Sequence, residues 1–201
     1  MVSKRNTKEE ILDVALTLFS MKGFDATSLS DIASCLSISK AALFKHFSSK
    51  EEILTSVVLM MDQEDRKRAE SMNVPRSTKE EDEKEYENIK KIDFLNFALS
   101  QFEYWTENKR ANRYRRFLSI ERFVRDEMKR KWEENFVSGP LSYTKDVLES
   151  LSIEDSEAKA SRLWGIMLLS FFLYDGGEEK EKLMKLIEKE MTGILEVEDE
   201  V

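Results

Sequence analysis

The 201-residue chain has few of the residues that interrupt helices or build covalent and metal sites. Two prolines and six glycines favour long helices over the frequent turns of a β protein. A single cysteine, Cys35, rules out an internal disulfide and fits a reducing compartment, and a single histidine, His46, rules out a multi-histidine metal site. No stretch approaches the roughly 20 consecutive apolar residues of a membrane span, and no signal-peptide pattern is present. We therefore expect an all-α, cytoplasmic protein without membrane contact.

Features typical of enzymes are also missing from the sequence. It has no His-Cys or Ser-His arrangement, no glycine-rich phosphate loop and no spacing of metal ligands. We therefore expect no catalytic residues, no metal and no cofactor.

The formal net charge of −8 is unevenly distributed along the chain. Residues 1–50 contain seven Lys and Arg against five Asp and Glu, whereas the rest of the chain contains 25 against 35. This difference fits a small module that meets phosphate groups and a larger body that does not.

Residues 28–50 read SLSDIASCLSISKAALFKHFSSK and predict two short helices joined by a tight turn. Ser28 or Ser30 is suited to cap the first helix, and the leading turn of the second carries Ser39, Lys40 and Ala41. Small and polar residues open the second helix, which makes it suited to enter a DNA major groove. We predict a helix-turn-helix here, with Cys35 as a small buried residue of its first helix.

A third helix precedes this pair. Thr7 and Glu10 have the spacing of a capping box, and the apolar residues that follow recur at helical steps until Gly23, which is placed to end the helix. The N-terminal region therefore predicts three helices around one small core.

The segments ILDVALTLFSMKGFDATSLSDIA and SISKAALFKHFSSKEEIL, between Thr7 and Leu54, resemble the DNA-binding domain of the tetracycline-repressor (TetR) family of transcriptional regulators. The resemblance implies a helix-turn-helix DNA-binding domain at residues 1–50 and a helical-bundle domain for effector binding and dimerisation at residues 51–201. It further implies a homodimeric repressor that binds a pseudo-palindromic operator in double-stranded DNA. A small-molecule effector would release it from the DNA.

The resemblance also implies which residues contact DNA. They are Thr27, Ser28, Ser39, Lys40, Ala41, Ala42, Phe44, Lys45, His46 and Lys50. An exposed side chain without DNA contact is an equal alternative for His46, and Lys40 and Lys45 are also compatible with solvated helix charges. Two positions depart from the family pattern. Ser37 stands where glycine is common in the turn, and Phe44 stands where tyrosine is usual, so a hydroxyl that would reach a phosphate is absent.

Aromatic residues recur at three- and four-residue steps between residues 94 and 132. The core of a helical bundle accounts for most of them. In the resembling family a cavity between such helices binds effectors, which implies an apolar or amphipathic small molecule here. Glu121 is the most suggestive polar candidate because it interrupts an apolar face. The candidate ligand contacts are Phe94, Phe97, Phe102, Trp105, Phe117, Glu121, Trp164 and Met167. The polar run at residues 76–87 predicts a mobile loop or a frayed helix start, and the sequence leaves open whether residues 74–87 are ordered.

Residues 155–174 and 178–196 predict two long final helices. The first is apolar almost all round between Leu163 and Leu173, more than one core-facing side requires. The resemblance implies that these two helices pair with their mates in a dimer. The candidate interface residues are Leu163, Trp164, Leu168, Phe171, Leu183, Leu186, Ile187 and Met191.

Two other classes of protein remain open at this point. An enzyme with an accessory helix-turn-helix would turn over a bound small molecule. A helical interaction protein would use the motif for protein contacts, and its binding would not weaken steeply with salt as binding to DNA does.

Overall fold

The computed structural model describes residues 7–75 and 78–196 of the chain. Within these residues the structure contains helices and no strand, which confirms the all-α prediction. None of the described helices is long and apolar enough to cross a membrane. A short 3-10 helix spans Glu83–Glu85. The α-helices are α1 (Thr7–Lys22), α2 (Leu29–Cys35), α3 (Lys40–Phe44), α4 (Lys50–Ser71), α5 (Lys91–Glu107), α6 (Lys109–Glu121), α7 (Asp126–Phe136), α8 (Ser138–Ser150), α9 (Ser156–Asp175) and α10 (Lys180–Leu195).

The described residues form two compact units. The first contains residues up to 71 together with residues 109–130, so α6 and the start of α7 belong with α1 to α4. The second contains residues 72–108 and the chain from residue 131 onward. The predicted boundary after residue 50 falls inside the first unit, at the first residue of α4.

The core of the first unit forms around α1, which packs against α2, α4 and α6. The Phe19 ring lies 5.3 Å from the ring of Phe24 and 5.6 Å from that of Phe117, measured between centroids. Helix α6 buries residues three and four positions apart on one face: Ala111, Tyr114, Phe117 and Leu118. Together these apolar faces give the short helices α2 and α3 the support that they lack as an isolated pair.

Helix α6 ends at Glu121, and the aromatic stripe predicted to continue from Tyr114 to Trp132 is interrupted there. The amides of Val124 and Arg125 both donate to the carbonyl of Glu121, which closes a turn before α7 begins. Val124, which lies in this turn, is exposed. Cys35 is also exposed, and its predicted burial is wrong because α2 turns other residues, Ile32 among them, toward the core.

The second unit is a bundle in which α9 packs against α5, α8 and α10. Its interior is rich in aromatic rings. The ring of Phe102 stacks on that of Phe171 at 5.5 Å, and the ring of Phe136 meets those of Trp105 and Trp132 at 4.7 and 4.8 Å. These contacts have the edge-on and offset geometries that aromatic pairs prefer.

The polar run at residues 76–87, predicted as a mobile loop or a frayed helix start, is anchored from residue 78 onward; residues 76 and 77 lie outside the described residues. Tyr86 is only 3% exposed, and its ring lies 6.5 Å from that of Tyr143 on α8. The Asp146 carboxylate, also on α8, accepts the Lys79 amide at 3.1 Å. One aromatic ring and one carboxylate thus hold a run of otherwise polar residues against the bundle.

Candidate nucleic-acid interface

The helix-turn-helix is built from serine caps and one left-handed residue. The Ser28 hydroxyl accepts the Asp31 amide, and the Asp31 carboxylate accepts the Ser28 amide, which makes a complete capping box at the start of α2. Lys22 and Ser28 together hold the pKa of Asp31 at about 2, chiefly through the hydrogen bond from Lys22. In the turn, Ser37 has a φ of +54°, the conformation that glycine adopts without strain. The expectation that a serine makes this turn is confirmed.

Helix α3 turns a small, polar and cationic face to solvent. Ser39 caps the helix by accepting the Ala42 amide at 3.0 Å, while Leu43 and Phe47 are buried beneath it. Phe44 is 45% exposed, and the Lys40 ammonium lies 5.9 Å from the centre of its ring. The other exposed residues of this face are Ala41, Lys45 and His46; Ala42 is half-buried. This face brings together seven of the ten predicted DNA contacts.

The predicted contacts Thr27 and Ser28 lie next to each other at the start of α2, but only Ser28 is exposed. Thr27 is buried and donates its hydroxyl to the Gly23 carbonyl at 2.8 Å, so the geometry gives it a structural role. Ser28 is exposed, although its hydroxyl already caps the helix.

Lys50, the first residue of α4, is engaged within the protein. Its ammonium donates to the carbonyls of Phe24 and Thr27, both at 2.7 Å, and lies 4.2 Å from the centre of the Phe24 ring. A lysine is unfavourable at a helix N-terminus because of the helix dipole. The carbonyls of the α1–α2 turn (residues 23–28) supply the negative partial charge that offsets this cost.

The end of α6 meets the same turn. Glu121, which is 5% exposed, accepts the Phe24 amide on Oε1 at 2.8 Å. The Arg125 guanidinium lies 4.0 Å from the centre of the Phe24 ring and 3.0 Å from the Asp25 carboxylate. The sequence marks Glu121 as unusual, because a carboxylate interrupts an apolar face. It does not reveal the partner, which lies 97 positions earlier in the chain.

The net charges of the two units differ more than the net charges of the two predicted domains do. The first unit contains 19 Lys and Arg against 14 Asp and Glu, a net of +5, and the second contains 13 against 26, a net of −13. Helix α6 and the start of α7 supply much of the difference, because residues 109–130 hold nine cations and three anions. The positive potential favourable for DNA therefore belongs to the unit that carries α3.

Comparisons with known proteins agree with this geometry. Residues 11–57 match the family described as bacterial regulatory proteins, tetR family. IcaR of Staphylococcus epidermidis, described as an HTH-type negative transcriptional regulator of the biofilm operon icaADBC, is 52% identical over 46 residues. Residues 11–57 therefore resemble the DNA-binding region of TetR-family regulators. The match to IcaR spans 23% of this chain and 25% of IcaR, so only about a quarter of the relative's length is covered.

Solved structures extend the likeness in fold to the rest of the chain. A transcriptional regulator from Aquifex aeolicus VF5 superposes with a TM-score of 0.65 at 20% identity, over 94% of this chain and 99% of that one. A SmeT–triclosan complex superposes with a TM-score of 0.61 at 17% identity, over 94% and 91% of the two chains. At such low identity these similarities concern the fold.

The eight predicted ligand contacts are divided between the units. Phe117 and Glu121 belong to the first, and the other six belong to the second. Within the second unit, Phe94 and Phe97 gather around Tyr143. Phe102, Trp105 and Met167 belong to the buried core, and the Trp164 indole donates to the carbonyl of Phe136. An open groove in this unit has a polar lining instead, from residues at the end of α8 and the start of α9: Lys145, Glu149, Asp155, Ser156, Glu157, Ala158 and Ser161.

The predicted dimer residues lie on two faces of α9 and α10. Five are buried among the helices of their own chain: Leu163, Phe171, Leu183, Ile187 and Met191. Trp164, Leu168 and Leu186 are half-buried. The exposed apolar residues of α9 are Leu169, Phe172 and Leu173, none of which is in the predicted set. The excess of apolar residues in α9 is therefore real, but the outward positions are one or two residues away from those chosen.

Proposed function

We propose that this chain is a transcriptional repressor that reads double-stranded DNA with α3, acts as a homodimer and leaves the DNA when a small apolar or amphipathic molecule binds. The observation that carries the proposal is the exposed face of α3, small at its start and cationic at its edges, on a unit with a net charge of +5.

The residues on the exposed face of α3 make different kinds of contact with DNA. Lys40 and Lys45 are exposed and reach phosphates or base edges. Ser39 and Ala41 add little bulk, which lets the start of α3 come close to the bases. Phe44 offers an apolar contact suited to a thymine methyl group or a sugar. Lys50 acts from inside the protein by holding the α1–α2 turn, and its own ammonium is already bonded to carbonyls.

Repression is supported by the likeness to IcaR, which is described as an HTH-type negative transcriptional regulator and is 52% identical to this chain over 46 residues. A protein that occupies promoter DNA blocks transcription without any further contact. The exposed apolar residues of α9 support a two-fold dimer. Such a dimer would present two recognition helices to half-sites about 34–36 Å apart, one turn of DNA.

Release by an effector is supported by the aromatic interior of the second unit and by the fold shared with SmeT, whose structure was determined with triclosan. A ligand that binds more tightly to the state incompatible with DNA shifts the population toward that state. Mass spectrometry of the purified protein under native conditions tests for a retained small molecule, and adding that molecule back should weaken DNA binding.

The DNA-binding proposal is tested by selection from a pool of random DNA duplexes with the full-length protein. We expect the enriched duplexes to share an inverted repeat and their affinity to fall steeply with salt, because bound phosphates release counterions. Lys40→Gln and Lys45→Gln should each weaken binding to the enriched duplex and lower the salt slope by about one.

Lys185→Gln provides the matched control, because Lys185 is an exposed lysine of α10 in the second unit. It should leave the affinity and the salt slope unchanged. Enrichment of no sequence, or binding that does not respond to salt, would contradict the proposed function and favour a protein-interaction module.

A further inference from the structure

We infer that Glu121 and Arg125, at the end of α6, are positioning residues for DNA binding: they clasp the α1–α2 turn and so set the orientation of the helix-turn-helix. The inference rests on the proposed function, since it assigns these residues to the DNA-reading unit and not to the ligand site predicted for Glu121. Neither residue contacts DNA in this scheme.

The Glu121 carboxylate is fitted closely to the turn. Its Oε1 accepts the Phe24 amide at 2.8 Å, and a Cβ added at Gly23 would lie 2.9 Å from the same oxygen. Gly23 has a φ of +79°, a left-handed conformation that favours glycine. Oε2 is buried and lies 3.3 Å from Arg125 Nε, although the two are not aligned as a hydrogen bond.

A carboxylate this deeply buried is costly unless it is paired and hydrogen-bonded. Here the charge is offset by the Phe24 amide and by the nearby guanidinium. Without Glu121, the buried amide of Phe24 would lose its acceptor, which carries a penalty of its own. The Glu121 carboxylate and the Phe24 amide therefore stabilise each other, because each would be buried without a hydrogen-bond partner if the other were removed.

Arg125 completes the clasp from the turn that follows α6. Its guanidinium lies 4.0 Å from the centre of the Phe24 ring and forms ion pairs with Asp25 at 3.0 Å and Glu51 at 3.7 Å. Phe24 is thus contacted by Glu121 at its amide, by Arg125 at its ring, and by Lys50 at its carbonyl and its ring. Residues that are far apart in sequence fix this single position.

The clasped turn leads directly into the helix-turn-helix. Thr27 donates back to the Gly23 carbonyl, and Ser28 is the N-cap of α2. A loosened turn would have to be ordered again when α2 and α3 dock on DNA, and that entropy would be subtracted from the binding free energy. Loss of the clasp should therefore weaken DNA binding although no DNA contact is removed.

Four full-length variants test this inference on the duplex enriched by the wild-type protein. Glu121→Ala removes the acceptor, Glu121→Asp keeps the charge but shortens the reach, and Glu121→Gln keeps the reach and an acceptor oxygen. Glu127→Ala is the matched control, because Glu127 is an exposed carboxylate in the same unit. Fluorescence anisotropy across a salt series gives affinity and slope, and hydrogen exchange at the Phe24 amide reports on the turn.

We expect Glu121→Ala and Glu121→Asp to bind about tenfold more weakly, with an unchanged salt slope and faster exchange at Phe24. Glu121→Gln, which keeps the acceptor but not the charge, should bind about as tightly as Glu127→Ala and keep slow exchange at Phe24. Removing a negative charge from a DNA-binding unit should by itself tighten binding, and Glu127→Ala measures that effect. Charge alone predicts that Glu121→Ala binds DNA more tightly. Weaker DNA binding by this variant would therefore be evidence for a positioning role.

The inference is overturned if folded Glu121→Ala binds the duplex as tightly as Glu127→Ala, or if exchange at Phe24 does not change. If Glu121→Ala does not fold, the contrast between the Asp and Gln variants decides instead. Should the wild-type protein enrich no DNA, the proposed function fails. Exchange at Phe24 then still decides whether Glu121 holds the turn: faster exchange supports the clasp, and unchanged exchange overturns it.

Discussion

At the scale of single residues, Ser37 carries the backbone strain of the helix-turn-helix. Its φ of +54° lies in the left-handed region, which costs a residue with a Cβ about 1–2 kcal/mol. Glycine avoids that cost but loses more entropy on folding. We expect Ser37→Gly to raise the free energy of unfolding by about 0.5–1 kcal/mol, measured by urea denaturation. Ser34→Gly, at an exposed position inside α2, should lower it instead. A loss of stability in Ser37→Gly would contradict this explanation.

Residue-level prediction from sequence succeeded where the cause is local. Ser28, one of the two predicted caps, does cap α2, and capping depends on neighbours only three positions away. It was less informative for Thr27 and Lys50, whose side chains bond to carbonyls of the α1–α2 turn. Which way those carbonyls point depends on the packing of α1, α4 and α6, and no spacing in the sequence carries that information.

At the scale of elements, α6 packs in the unit that carries the helix-turn-helix, which its sequence pattern did not predict. Its apolar face was correctly predicted as a core face. Its assignment to the first unit depends on contacts with residues about 50 to 100 positions away. Arg110 joins α6 to the Asp13 carboxylate of α1 at 2.6 Å and to that of Glu64 on α4 at 2.7 Å. Charges of both signs are so common in this chain that their pairing could not be chosen from the sequence.

The anchored segment before α5 makes a prediction about alkaline pH. Burial raises the pKa of Tyr143 to about 12, and burial together with the Asp146 carboxylate raises that of Tyr86. In the unfolded chain both phenols ionise near pH 10. The folded state therefore holds these protons when the unfolded state has released them. The stability that they contribute is complete below about pH 10 and is lost as the pH rises through about 12.

We expect the free energy of unfolding of Tyr143→Phe to fall by roughly 2–3 kcal/mol less than that of the wild type as the pH rises from about 10 to about 12. The reason is that the pKa of Tyr143 differs by about two units between the folded and unfolded states. Urea unfolding of wild type and variant at matched pH values gives the difference, in which the titration of lysines and of the other tyrosines cancels. Parallel curves for the two proteins across this range would show that Tyr143 does not retain its proton in the folded state.

At the scale of the whole molecule, the chain combines a cationic unit that carries the helix-turn-helix with a strongly acidic bundle, and the sequence predicted this contrast in outline. The fold class, the helix order and the position of the helix-turn-helix followed from periodicity, capping and motif. The division into units did not, because residues 109–130 return to the first unit after a long excursion. A linear boundary cannot describe a unit assembled from two separated segments.

The exposed apolar side of α9 leads to the prediction about assembly. Phe172 is 56% exposed and Leu169 is 47% exposed on a helix that already buries its other side. Such residues are stabilised when a second copy covers them. Phe172→Glu would place a carboxylate in that interface and require its desolvation on both copies, a penalty that the dimer cannot offset.

We therefore expect Phe172→Glu to sediment as a monomer under conditions in which the wild-type protein sediments as a dimer. Its affinity for an enriched two-half-site duplex should fall by at least about tenfold, because the half-sites are no longer bound as one unit. Phe123→Glu is the matched control: Phe123 is 79% exposed but lies in the turn after α6, in the other unit. It should remain dimeric. A wild-type monomer, or a Phe172→Glu dimer with unchanged affinity, would show that this face of α9 is not the one that brings two recognition helices to one operator.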